Sequence, residues 1–250
     1  MSYLIITSIH SNIVNSKYCH VLKNIEKFGL SAVVYHENSY STPIDLPNIS
    51  GVTYHDVFKV NPDLRGIVEM PELKAIEQVQ NENIKKKHAK YWVRKSFAEV
   101  HAIRAYSSLY DYIVWCDADA YFTKLLDDKF FDWMKDYDIG LLSRQPHAPE
   151  TGFVCWNNSG KIQRFMEYYA DYYTTGTFLG QARWCDTRAI QFSVETFKPQ
   201  IKEGKIQGAR GIYDRSHLAR DKDSSPFSIE DYWVHDERDS SHDWRVVDKS

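Results

Sequence analysis

No C-x-x-C pair occurs among the four cysteines of this sequence, Cys19, Cys116, Cys155 and Cys185. Reduced thiols in a cytosolic compartment are therefore the expectation. Long apolar runs are missing too. Nothing approaches the roughly 20 residues that a membrane helix requires. The N-terminal stretch Tyr3 to Ile9 is too short for a signal-peptide core and has no basic residue before it, so it reads as the first strand of a soluble protein. No field of one sign exists either: 31 basic residues stand among 34 acidic ones, with net charge -3 and pI near 6.4. Duplex nucleic acid is a poor partner for such a surface. The basic run Lys85-Lys86-Lys87 suits the solvated start of a helix. There is no internal repeat, no low-complexity segment and no Gly-rich basic phosphate loop, since Thr7-Ser8-Ile9-His10-Ser11-Asn12 is not one.

What is present is a chain of 250 residues, the right size for one large domain with its own core. Aromatic residues make up 14%, with 17 Tyr and 7 Trp, many flanking polar motifs; such side chains suit sugar-stacking surfaces and core filling alike. Strand-like runs alternate with helical patterns, which predicts an α/β sheet with its ligand site at the carboxyl ends of the strands. Tyr3 to Thr7 reads as a strand, 16–28 as a helix closed by Gly29, and Ser31 to Tyr35 as the next strand. Tyr35 and His36, with Glu37 and Asn38 behind them, stand where a base or ribose lies in such folds. A loop over 41–50 and a short strand Val52 to Tyr54 follow.

A long helix is predicted from Lys85 to Tyr110, with Val93, Phe97, Val100 and Ile103 on one face and Lys95, Ala98, Ala102 and Ala105 on a second. Asp111 to Cys116 is continuously apolar after its first residue, as a strand buried on both faces must be. Further on, Phe130 to Tyr137 looks helical, while Ile139 to Leu142 and Gly152 to Trp156 look extended. Asn157 or Asn158 is expected to cap a helix carrying Ile162, Phe165, Met166 and Tyr169, ending near Gly176. Another helix is expected from about Cys185-Asp186-Thr187, with Ile190, Val194 and Phe197 facing inward. After Gly204 the sequence is loop-like, apart from a late strand from Ile229 to Val234 that ends at His235.

The stretch "WCDADAYF" (115–122) sets Asp117 and Asp119 directly behind the buried strand. Ionised neighbours repel, and burying one carboxylate without a partner is costly. An extended chain there would point both side chains the same way, toward a hard divalent ion that takes oxygen ligands and leaves positions for substrate phosphates. The plainer reading is a turn and a helix cap.

Residues 111–122, "DYIVWCDADAYF", resemble the strand and D-x-D signature of the nucleotide-sugar glycosyltransferases of the GT-A type. "SRQPHAPETGFVCWN" (143–157) and "RWCDTRAIQ" (183–191) resemble the E-T-G-F and W-x-D elements of a bacterial and viral branch of those enzymes. The likeness covers roughly 88–240. It implies a GT-A-like Rossmann-type single domain over 1–250: a central, mostly parallel mixed sheet flanked by helices. Residues 1–120 would form a nucleotide-sugar-binding half, and 121–250 an acceptor-binding half with a C-terminal metal-site segment.

The resemblance further implies that Asp117 and Asp119 hold Mn²⁺ or Mg²⁺, which in turn holds the donor diphosphate, and that Asp117 also reaches the ribose. Lys95 in "YWVRKSFA", or its neighbour Arg94, would offset diphosphate charge. Asp186 and Glu150 would bind the acceptor and take its proton, a task for any carboxylate within hydrogen-bond reach. His235 resembles a late histidine that completes the metal site, and imidazole suits Mn²⁺ better than Mg²⁺. Asp236-Glu237-Arg238 follows where Lys-Gly is more usual, with Arg238 available to supply charge. The implied reaction is transfer of a sugar from a UDP- or GDP-sugar to a hydroxyl of a saccharide or glycan. Three rivals are a haloacid-dehalogenase-like phosphatase, whose D-x-D usually continues with Thr or Val where Ala120-Tyr121 stands here, a non-catalytic nucleotide-sugar or carbohydrate-binding module, and a nucleotidyltransferase that makes the activated sugar.

Overall fold

The structure, a computed structural model, describes residues 1–10, 20–77, 88–122, 124–143, 150–197, 212–213 and 233–235. The chain opens with β1 (Tyr3–Ser8), α1 (His20–Phe28), β2 (Ala32–His36) and β3 (Val52–Asp56). Three short helices follow, α2 (Val57–Val60), α3 (Leu64–Val68) and α4 (Pro71–Glu77), and then the long α5 (Ala89–Tyr106). Next come β4 (Tyr112–Cys116), β5 (Ala120–Phe122), α6 (Asp128–Met134), β6 (Ile139–Ser143) and β7 (Glu150–Asn157). The remaining elements are α7 (Gly160–Thr174), a 3₁₀ turn (Thr177–Gly180), α8 (Asp186–Phe197), β8 (Ile212–Tyr213) and β9 (Trp233–His235).

Seven strands form one sheet in the order β3-β2-β1-β4-β7-β6-β8, while β5 and β9 make a separate antiparallel pair. Within the large sheet β7 alone runs against its neighbours, so the sheet is mixed and mostly parallel, the α/β class that the alternating pattern implied. The order reverses between β1 and β4. In open α/β sheets that switch point leaves a crevice outside the carboxyl ends of the strands, where ligands bind.

Side-chain alternation sends β4 into two cores. Ile113 and Trp115 join Leu4, Ile6, Val154 and Trp156 beneath α5, α7 and α8. Tyr112, Val114 and Cys116 join Ile5, Val34, Phe153 and Cys155 beneath α1 and α6. All five β4 residues are buried, which explains why the segment is continuously apolar. Cys116, Cys155 and Cys185 are buried and lie outside any disulfide. Among the described residues no helix is long and apolar enough to cross a membrane.

Local signals account for several element ends. At the end of α1, Gly29 takes φ 61° and passes its amide to Glu26 O, while Leu30 N reaches Ile25 O at 3.0 Å, a Schellman closure. The start of α7 differs from expectation. Ser159 is the cap, its hydroxyl accepting from Ile162 N, an arrangement worth about 1 kcal/mol. Asn157 and Asn158 are drawn elsewhere: Asn157 Nδ2 donates to Tyr137 O at 3.0 Å, and Asn158 Nδ2 donates to Tyr110 O at 2.7 Å and to Ser107 O, tying the α5–β4 turn to the end of β7. Helix α5 stops at Tyr106 instead of Tyr110, because 107–109 form a turn. Residues 16–19, 85–87 and 229–232, also assigned to elements from the sequence, lie outside the described residues.

Candidate functional site

Helix α5 packs its buried face across β1 and β4 and delivers Lys95 to the carboxyl end of β4. The side chain is 7% exposed. Its Nζ lies 3.0 Å from Asp117 Oδ1, 2.9 Å from Asp186 Oδ2 and 2.5 Å from the Thr151 carbonyl. An ammonium has three N–H bonds, and these contacts use all of them. Burial alone would push the Lys95 value down, but Asp117 and Asp186 outweigh it, so the group is held charged with its value raised.

Each partner arrives for a topological reason. Asp117 continues the face of Ile113 and Trp115, and Trp115 Nε1 donates to the same Oδ1 at 2.6 Å. Thr151 is present because β7 is antiparallel: Cys116 pairs with Phe153, so the head of β7 lies beside the carboxyl end of β4, where Asp117 N donates to Gly152 O. Asp186 sits in the first turn of α8, a favourable place for a carboxylate. It is buried, accepts Thr151 Oγ1 at 2.7 Å on Oδ2 and takes Thr187 N at 2.8 Å on Oδ1.

Behind Lys95, one helical turn on, stands Glu99. It is 0% exposed, accepts Tyr169 Oη at 3.0 Å on Oε2, and has no partner among the described residues on Oε1. Ser96 Oγ in turn donates to Tyr169 Oη at 2.9 Å. Burial raises the Glu99 carboxyl to about 8, with Lys95 opposing. The sequence reading passed over this residue. Its signal was available, since a carboxylate four positions after Lys95 falls on the same inward face as Ala98 and Ala102.

The aspartate pair does not form an extended run. Ala120 N donates to Asp117 O at 3.0 Å, closing a turn over 117–120, so the expectation of two carboxylates pointing alike from a straight strand does not hold. The turn leads into β5, and β5 pairs with β9 so that Ala120 faces His235 in register. The backbone thus brings His235 next to Asp119. Its side chain, and that of Glu150 at the head of β7, lie outside the described set. Among the described residues no group of three His, Cys, Asp or Glu side chains is arranged to hold a metal ion.

The remaining candidates separate from this cluster. Arg94 pairs with the buried Glu37, and its guanidinium lies 5.2 Å from the Tyr40 and Tyr91 ring centres and 5.5 Å from that of Phe58. Burial raises the Glu37 carboxyl, and Arg94 opposes the rise. His36, at the end of β2, lies 3.9 Å from Asp56 Oδ2; burial lowers its value, with Asp56 pulling the other way. Tyr35, expected beside a base or ribose, is instead fully buried, with its hydroxyl 2.8 Å from His101 Nδ1. Strand alternation turns it beneath α5, into the core that Val93, Phe97 and Val100 share. Trp184 is buried and donates to Gln181 O at 3.1 Å, so its part in the W-x-D element is packing.

The fold class is thus α/β, with a charged cluster at the carboxyl ends of the central strands. No family model matches the sequence, and no curated protein matches it. Among solved structures the chain is similar to mouse Xyloside xylosyltransferase 1 in its apo form, at 11% identity and a TM-score of 0.47, over 80% of this chain and 83% of that one. That likeness is too distant to bear on the chemistry of this site.

Proposed function

We propose that the chain is a divalent-metal-dependent glycosyltransferase, which moves a sugar from a nucleoside-diphosphate donor to a hydroxyl of a saccharide or glycan acceptor. One observation carries the reading: an Asp-Ala-Asp turn ends a strand buried on both faces, at the switch point of the sheet, with His235 in register beside it. The donor chemistry fits a divalent ion. Lys95 and Trp115 both fall on Oδ1 of Asp117 and neither on Oδ2, so that oxygen, Asp119 and His235 would make a hard, partly nitrogenous site. Such a set favours Mn²⁺ over Mg²⁺. When bound, the ion supplies charge against the departing diphosphate, where negative charge develops in the transition state.

The protein groups then divide the work. Lys95 acts from behind, fixing Asp117 and Asp186, because its three N–H bonds are already used within the protein. Asp186 holds Lys95 and the head of β7 together. Glu150, next to Thr151 on that strand, is the carboxylate left for acceptor hydroxyls and their proton. His36, at the end of β2, stands toward the base or ribose side.

The test is a thermal-shift screen of UDP- and GDP-sugars with Mn²⁺, followed by an assay of nucleoside diphosphate release with saccharide acceptors. Asp119→Ala should abolish Mn²⁺-dependent donor binding while the unliganded melting temperature stays within a few degrees. Unchanged sugar transfer by that variant contradicts the assignment. Phosphate release without sugar transfer would favour the phosphatase reading instead.

A further inference from the structure

Glu99 belongs to no step of the proposed reaction, yet it is built into the cluster. Charged or titratable groups act on it from its own helix and from three packed elements: Lys95 on α5, Asp117 at the end of β4, Tyr169 on α7 and Asp186 at the start of α8. Its carboxyl is sealed from solvent and receives one donor, Tyr169, on one oxygen. In the ionised form the second oxygen would carry charge with no donor from the described residues, which is costly in a dry interior.

We propose that Glu99 is a proton-exchange partner of the metal site: it holds a proton while Lys95 balances Asp117 and Asp186, and gives that proton up when a divalent cation binds at Asp117 and Asp119. The step balances, because one divalent ion enters and one proton leaves to solvent from the Glu99 carboxyl. Two added positive charges next to Asp117 favour ionisation of a carboxyl that already feels Asp117 and Lys95. The ordinary value of 4.5, raised to about 8 by burial, leaves Glu99 mostly protonated at neutral pH and able to release. Glu99 is thus a positioning residue that tunes ion affinity; it does not touch substrate. The inference rests on the metal reading above, and its test separates the two.

The experiment titrates the full chain with Mn²⁺ alone at pH 7.5, by calorimetry in buffers of low and high ionisation enthalpy, for the wild type and Glu99→Gln. The wild type should release between about half and one proton per ion more than the variant. Any proton from His235 appears in both and cancels. Equal counts overturn this inference and leave the metal reading standing; no Mn²⁺ binding by the wild type overturns both. If Glu99→Gln fails to fold, the wild type still decides. Release should persist at pH 8, above the ordinary histidine value of about 6.5, and vanish by about pH 10. Absence of release at pH 8 overturns the proposal.

Discussion

Replacing Lys95 by Met tests how the site is held together. The substitution keeps most of the buried stem and removes the ammonium from contacts of 3.0 Å to Asp117, 2.9 Å to Asp186 and 2.5 Å to the Thr151 carbonyl. At an effective dielectric near 20, each ion contact near 3 Å amounts to roughly 5–6 kcal/mol before desolvation is counted. Breaking a buried pair and stranding its carboxylate costs about 3–5 kcal/mol net. Most of that falls on Asp186, whose side chain is 4% exposed, because Asp117 at 30% can recruit water. Asp186→Asn should cost less, about 1–3 kcal/mol, since Lys95 keeps Asp117 and the amide can still accept from Thr187 N. The double variant should lose at least about 1 kcal/mol less than the two single losses added together, because no stranded charge remains at position 186. Urea unfolding followed by tryptophan fluorescence reads all three. A Lys95→Met loss below about 1 kcal/mol, or strict additivity, would refute the clamp.

Two further outcomes follow from other parts of the fold. Burial, with His55 and Arg104 adding to it, holds His101 down to about 4 from an ordinary 6.5, so the unfolded chain binds a proton there that the folded chain refuses. Stability is therefore lost as pH falls from about 6.5 to about 4, and His101→Gln should flatten that acid limb of a melting-temperature profile; identical slopes refute it. A Cβ at Gly140 would meet Met134 Sδ at 2.7 Å and Cys155 Cβ at 3.3 Å. The methionine can swing aside, but Cys155 is fixed on the paired strand, so Gly140→Ala should cost about 1–3 kcal/mol in urea with an unchanged m value. An effect near zero is the contrary result.

The sheet was legible where burial on two faces or a helical stripe left an unambiguous pattern, as in β1, β2, β4 and α7. Helices α2, α3 and α4 were not read, since each is four to seven residues long and shows too little periodicity. The α7 cap was misassigned because Asn157, Asn158 and Ser159 are all good cap residues, and the competing demand of the α5–β4 turn on Asn158 is a tertiary fact. Lys95, Asp117 and Asp186 could be named from motifs, but their contact could not. That contact depends on β7 running antiparallel, which the residues of β7 do not encode locally. Tyr35 misled because a strand's last residues look alike in sequence whether they face a ligand or a helix.

The reversed direction of β7 also bears on how the molecule is made. Lys95 precedes Thr151 by 56 positions, and Asp186 follows Thr151 by a further 35. On a ribosome adding about 5–20 residues per second, the ammonium emerges several seconds before its last two acceptors. Nascent chains ending ahead of position 150 can assemble β3-β2-β1-β4, yet they carry a cation in the middle of a helix meant for the interior. The centre therefore cannot become dry until the head of β7 and the start of α8 have both been made.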